Sequence, residues 1–293
     1  MRKWRERILV GASWVAAFGV LAVVGVLVVF LVARSAHILG PQLLFGDVPW
    51  TRAVFAGARV FDGIWPAVVG TLTLVALSAG IAIPLGLAAG IHVSEYAGPR
   101  FKASVTLVVD VLAGIPSIVM GLFGFSMILL LRRTVAQEAK TGLLLAAVCI
   151  ALLVLPYMIR ATQSALAGLP MSIRLLGPSL GMSQTQTLRR VLVPAASRGI
   201  LSGAILSVGR AAEDTAVIML TGAVATAGGR GPQDLLGKFE ALPFKIFVIA
   251  AEHNTAAELD QGFGAALVLL TLTATLFIGA YLLQRSLERR WNN

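Results

Sequence analysis

The sequence predicts an all-α, polytopic membrane protein with six transmembrane helices, and composition, run length and charge placement each point that way. Hydrophobic residues make up 57% of the 293 and charged residues only 13%, with a mean hydropathy of +0.86. That lies beyond the composition of a soluble domain. A helix crossing the hydrocarbon needs about 20 mostly apolar residues, because every backbone amide must be satisfied within the segment. Six stretches are candidates: 8–33, 66–92, 104–131, 142–159, 199–221 and 262–283.

The first run is longer than the apolar region of a signal peptide, and no convincing small-x-small cleavage site follows it, so it reads as an anchor. In the second, Gly86 and Gly90 are spaced for close contact with another helix. The third contains Gly114, Pro116, Gly121 and Gly124, which interrupt it, and Pro116 frees the carbonyl of Leu112 from its usual donor. Such a break either lines a cavity, with Ile115, Pro116 and Ser117 at its edge, or serves packing. The fourth carries the single Cys149, so no disulfide forms within one chain. An amphiphilic segment, 160–198, follows it. The fifth run holds Arg210, Glu213 and Asp214, and the sixth follows a glycine-rich segment, 222–261, with a short helix expected over 235–249.

Charge sets the orientation. Arg2, Lys3, Arg5 and Arg7, then Arg100 and Lys102, then Arg160, Arg174, Arg189, Arg190 and Arg198, and finally Arg285, Arg289 and Arg290 fall on the side of the termini. The other side has fewer cations spread over longer loops, with Arg132–Arg133 the main exception. The positive-inside rule makes the termini cytoplasmic. The net charge of +10 then reflects topology and contact with anionic lipid, with no support for a nucleic-acid partner.

Enzymatic chemistry has no foothold. His37, His92 and His253 are scattered without cysteine or carboxylate at ligand spacing, so neither metal nor other cofactor is expected. The stretch 231–239, GPQDLLGKF, has one residue too many for a phosphate loop and ends in Phe239, so ATP is not hydrolysed on this chain.

Arg210 lies eleven residues past Gly199, about 16 Å along a helix and near the bilayer centre. On one continuous helix Arg210, Glu213 and Asp214 share a face, and intramembrane charges face a bundle interior or a water-filled path. Two roles stay open. Arg210 and Asp214 neutralise each other and lock helices together, or the acids Asp110, Glu213 and Asp214 hold Arg210 as a low-affinity gate. On the inner side, Gly181 bends a polar helical stretch that resumes over 184–193 and is expected to stop at Pro194, giving a helix-turn-helix on the cytoplasmic surface.

That inner loop resembles the coupling loop of ABC importer permeases, Glu-Ala-Ala-x3-Gly-x9-Ile-x-Leu-Pro. Gly181, nine residues, and Val191-Leu192-Val193-Pro194 match its second half; Leu175, Leu176 and Gly177 stand where Glu-Ala-Ala would be. Residues 64–98, the run DVLAGIPSIVMGLFG at 110–124, GRAAEDTAVIMLTGA at 209–223 and ALPFKIF at 241–247 resemble the A-type phosphate permeases over nearly the whole chain after residue 63. The family run Arg-Ala-x-Gly-Glu-Thr-Ala-Pro appears with Glu213, Asp214 and Val217 in place of Gly, Glu and Pro.

The resemblance implies a type I ABC-importer permease fold, with residues 1–65 forming an N-terminal helix and extracytoplasmic loop and 66–293 the permease core. It implies that Leu175, Gly177, Gly181, Val191, Val193 and Pro194 engage an ATPase. Arg210, Glu213, Asp214, Thr215, Asp110, Pro116 and Ser117 would line the substrate path, the planar guanidinium suiting an oxyanion. Two ATPase copies, a second, related permease and an extracytoplasmic phosphate-binding protein are the implied partners, in a bacterial cytoplasmic membrane. Molybdate or sulfate as cargo, and an ion-coupled carrier, are the alternatives; the inner loop argues against the carrier, which has no ATPase to engage.

Overall fold

A computed structural model describes residues 2–134 and 137–291; the side chains of 2–6, 8, 283 and 287–291, and with them Arg2, Lys3, Arg5, Arg289 and Arg290 of the charge pattern, lie outside the described set. Among the described residues the regular structure is helical. In chain order the helices are α1 (Arg2–Ser35), α2 (Pro41–Phe45), α3 (Trp50–Phe55), α4 (Trp65–Glu95), α5 (Pro99–Ala113), α6 (Ser117–Thr134) and α7 (Leu143–Ala167). There follow α8 (Met171–Ser179), α9 (Gln184–Thr187), a π-helical turn (Leu188–Leu192), α10 (Val193–Glu213), α11 (Ala216–Thr221), α12 (Leu242–Glu252) and α13 (Ala256–Trp291). Six of these segments are long and apolar enough to span a membrane: Leu9–Ser35, Trp65–Glu95, Ser117–Thr134, Leu143–Ala167, Gln184–Glu213 and Ala256–Ser286.

The third span differs from the single interrupted helix read from sequence. It is two helices, α5 and α6, separated by Gly114, Ile115 and Pro116, and the carbonyl of Leu112 is taken by the N–H of Ile115 at 3.2 Å. Gly121 and Gly124 do not interrupt α6. They are buried in it, where a Cβ at Gly121 would stand 3.0 Å from the carbonyl oxygen of Ala216 and one at Gly124 would stand 2.5 Å from Cys149 Sγ. Those glycines let α6 lie against α11 and α7.

The fifth span also differs, at both ends. Pro194 does not stop the helix, which runs unbroken from Gln184 to Glu213. Proline lacks an N–H and crowds the carbonyl four residues back. The preceding turn widens to accommodate this, with the Val193 N–H bonding the carbonyl of Leu188 five residues away. At its C-terminal end α10 finishes at Glu213, Asp214 is extended (φ −73°, ψ 119°), and α11 begins at Ala216.

The core gathers around α7, whose residues Ala146, Ala147, Ile150 and Val154 are fully buried. Close approach by α4 is made possible by Gly86 and Gly90, as their spacing predicts: a Cβ would stand 2.7 Å from Met158 Cβ and 2.6 Å from Thr162 Cβ. From the other side α10 approaches through Gly199 and Gly203, against Ala165 and Ala161. By contrast, α1 leaves its apolar surface uncovered within the chain and touches α13 near Phe30 and Phe263, whose rings meet edge to face at 5.7 Å.

The loop helix expected over 235–249 starts later, at Leu242, because Pro243 occupies its first turn and Ala241 before it is extended. Ahead of it Glu240, 2% exposed, accepts from the Ala227 N–H at 2.9 Å and pairs with Lys245 at 3.4 Å. Lys245 also donates to the carbonyl of Gly63 at 3.0 Å. This partly buried pair, which the sequence did not announce, ties the loop over 222–241 to the start of α4.

Candidate functional site in the broken spans

Two helix breaks flank apolar spans, one at Gly114–Pro116 ahead of Ser117–Thr134 and one at Asp214–Thr215 after Gln184–Glu213. Gly121, in the second turn of α6, contacts Ala216 and Val217 at the start of α11. The break at Asp214–Thr215 therefore lies next to the second turn of α6, the helix that the break at Gly114–Pro116 precedes. Irregular backbone at membrane depth occurs where it is buried in protein or lines a water-filled cavity.

Arg210 stands one turn before the α10 break. Its guanidinium lies 5.6 Å from the ring centroid of Tyr157, near the middle of α7. Because the fifth span begins at Gln184 and not at Gly199, Arg210 stands three residues from its C-terminal end and not midway along it. The expected partnership with Asp214 is absent. Asp214 lies outside the helix, so the i, i+4 geometry is lost, and its Oδ1 instead accepts the N–H of Val217 at 2.8 Å. The carboxylate thus caps α11 as a helix N-terminus prefers. Glu213 is exposed at the last residue of α10, and Thr215 is half-buried between the helices. Among the described residues Arg210 makes no ion pair.

Asp110 does not join Arg210 either. It pairs with Arg160 of α7, their side chains 51% and 40% exposed. The sequence reading put Arg160 in the inner loop, ending the fourth span at Ile159. Instead α7 continues to Ala167, with Thr162 and Leu166 fully buried. The signal was available: Thr162 and Leu166 extend the apolar face of the helix at i, i+4 spacing. Arg160 is the functional candidate that sequence reasoning missed. Pro116 and Ser117 border the other break, Pro116 exposed and Ser117 half-buried.

The residues assigned to the inner loop are split. α8 and α9 form the expected helical hairpin around Gly181, whose φ of +71° is the left-handed conformation that glycine adopts freely. Leu175 is exposed, as are Met171, Leu176 and Leu180, making an apolar outward face on α8. Gly177 is buried against Thr187, where a Cβ would stand 2.2 Å from Oγ1. Val191, Val193 and Pro194 are half-buried and belong to the N-terminal end of the fifth span, beside the buried Leu188, Leu192 and Ala196. Among the described residues no cluster of three or more His, Cys, Asp or Glu could hold a metal.

Residues 82–293 match the family described as the binding-protein-dependent transport system inner membrane component. Among curated relatives, "Phosphate transport system permease protein PstA 1" of Mycobacterium tuberculosis is 33% identical over 248 residues, covering 82% of this chain and 77% of that protein. "Probable phosphate transport system permease protein PstA" of Methanocaldococcus jannaschii is 28% identical over 219 residues, 74% of each chain. Among solved structures, an inward-facing MetNI methionine ABC transporter aligns with a TM-score of 0.59 at 19% identity, covering 77% of this chain and 94% of that one. A bacterial ABC transporter involved in alginate import aligns with a TM-score of 0.61 at 13% identity, covering 98% and 99%. Those alignments establish the ABC-importer permease fold, and the family match over 82–293 includes both helix breaks and the hairpin around Gly181. The chain is a multi-pass membrane protein that belongs to the binding-protein-dependent transport system inner membrane component family.

Proposed function

We propose that this chain is the permease subunit of an ATP-driven importer and passes inorganic phosphate along the face that carries Arg210 and Arg160. One observation carries the reading: charged side chains at Arg210, Glu213, Asp110 and Arg160 are exposed or half-exposed on helices that belong to or adjoin the apolar spans. Lipid does not accommodate such a face, so a second subunit and a water-filled path cover it. A guanidinium offers a phosphate two parallel hydrogen bonds, and Arg210, held by a ring instead of a carboxylate, has its donors free for that. Arg160 gives a second cation further inward, screened by Asp110 until substrate competes for it. Pro116, Ser117 and Thr215 edge the same path, and Asp214 holds its shape by capping α11. Relatives named as phosphate permeases support phosphate over molybdate or sulfate.

The second subunit is a related, non-identical permease. An extracytoplasmic phosphate-binding protein delivers the substrate, and two ATPase subunits dock on the α8 face and the Gly181 turn, supplying the hydrolysis this chain lacks. Leu175 makes that contact directly, while Gly177, Val191, Val193 and Pro194 shape the hairpin and join it to the fifth span. The permease core is 66–293, with 1–65 an added helix and loop, in a bacterial cytoplasmic membrane with cytoplasmic termini. An ion-coupled carrier would have no use for the α8 face.

The test is uptake of radiolabelled phosphate into proteoliposomes holding the chain with its ATPase, second permease and binding protein. ATP-dependent uptake competed by unlabelled phosphate but not by molybdate or sulfate is expected. Uptake without ATP, or equal competition by the other oxyanions, would overturn the reading.

A further inference from the structure

We infer that Glu95 is a positioning residue that ties the inner hairpin to the α4 span, so that a displacement of α8 becomes a displacement of the helices behind the site. This rests on the reading of α8 as the ATPase docking element.

Glu95 is the last residue of α4, its side chain 11% exposed, and it pairs with Arg174 of α8, 28% exposed. Arg174 Nη1 donates to both carboxylate oxygens at 3.3 and 3.1 Å, and Nη2 donates to Oε1 at 3.2 Å. Nη2 also donates to the carbonyl of Leu166, at the inner end of α7, at 2.6 Å. One guanidinium therefore fastens α8 to two spans. The other arm of the hairpin reaches the same residue: Gln184 Nε2 donates to the backbone carbonyl of Glu95 at 2.9 Å, and Thr185 Oγ1 lies 3.4 Å from Tyr96 Oη. Ser94 Oγ donates to Glu95 Oε1 at 2.9 Å, fixing the carboxylate from its own helix.

A hairpin that only lay on the membrane surface would be held by its apolar seam, Ile173, Leu188 and Leu192 against Leu166. Such packing resists separation but allows sliding. A fork of parallel, charge-assisted bonds resists rotation too, and partial burial protects it from salt screening. The helices it grips are the pair joined through Gly86 and Gly90, one of which carries Tyr157 and Arg160. Force on the exposed Leu175, Leu176 and Leu180 thus has a stiff route to the site. The fork also stands where the family loop motif has no glutamate in this chain: the acid comes from α4 instead, to an arginine one residue earlier.

The experiment compares phosphate uptake per ATP hydrolysed in proteoliposomes of the complete transporter, alongside retention of the ATPase on purification through the permease. Glu95→Gln and Arg174→Lys are expected to keep the ATPase bound and hydrolysing while uptake per ATP falls about tenfold or more, within the usual span of coupling between sites. The exchange Glu95→Arg with Arg174→Glu is expected to recover most of the ratio. An unchanged ratio in the single variants overturns the proposal, as does parallel loss of ATPase binding and uptake with no rescue by the exchange. If those variants do not accumulate, Gln184→Ala removes one exposed bond to Glu95 without leaving a buried charge. A partial fall in uptake per ATP is expected there, and an unchanged ratio overturns the proposal. The docking reading fails separately, if Leu175→Asp with Leu176→Asp leaves ATPase retention intact.

Discussion

Asp214 closes its bond on the Val217 N–H at 2.8 Å, and that bond begins α11 after the chain has left α10. Replacing the carboxylate by Ala removes the cap and should cost about 1 kcal/mol of stability, while Asn, itself a good cap, should be nearly neutral. Thermal unfolding of the purified chain in detergent checks the ordering; equal losses for Ala and Asn would mean that charge, not capping, holds the turn. Arg210 follows the opposite pattern. That it lies outside the packed core, exposed in the structure, was legible from an arginine inside an apolar run, because the energetic cost of an unpaired buried charge leaves few alternatives. Its neighbours were not legible, since Asp-Thr is no helix breaker by propensity, and the i, i+4 spacing to Asp214 only has meaning on a helix that continues.

At the scale of the element, glycine positions do two different jobs. Gly86 is a contact: a Cβ there meets Met158 Cβ at 2.7 Å, so Gly86→Val should overpack the α4–α7 seam by about 1–3 kcal/mol. A lowered unfolding temperature would show it; an unchanged one would mean that the helices separate without penalty. Gly181 is a turn: nothing lies within 4 Å of its missing Cβ, but its φ is +71°. Gly181→Val therefore strains the backbone by about 1–2 kcal/mol without a clash. It should leave the chain in the membrane while uncoupling uptake from ATP hydrolysis, measured as uptake per ATP. The break before Ser117 makes a third case. With Cys149 replaced by Ala, Ser117→Cys should react with a small water-soluble thiol reagent in at least one nucleotide state, and protection in every state would make the break a packing feature only. The number of spans and the hairpin around Gly181 could be read from run length and a bend-forming residue. The boundary at Pro194 could not, because a widened turn at Leu188–Leu192 lets the helix pass the proline, whereas the continuation of α7 past Arg160 was written in the spacing of Thr162 and Leu166.

For the whole molecule, the exposed or half-exposed charges of Arg210, Glu213, Asp110 and Arg160 and the apolar face of α8 are two surfaces that the chain leaves uncovered. In the proposed function the first meets a second permease and a solute path and the second an ATPase. The Glu95 fork and the α4–α7 seam connect them. Sequence alone pointed to the first surface through its charges and to the second through a loop motif, but the link between them rests on side chains, Glu95 and Arg174, that meet across 79 residues of sequence. The central claim is that Arg210 meets the passing anion on a face shared between subunits. Phosphate uptake by the assembled transporter carrying Arg210→Ala, Arg210→Lys, or Arg210→Leu with Asp214→Leu, with subunit assembly measured in parallel, tests it most directly. Uptake should vanish in the first and third and return only partly in the second, because an ammonium keeps the charge but loses the two-pronged geometry, while assembly persists in all three. Uptake at the unaltered rate in the Arg210→Ala transporter, or its recovery in the double replacement, would contradict the account.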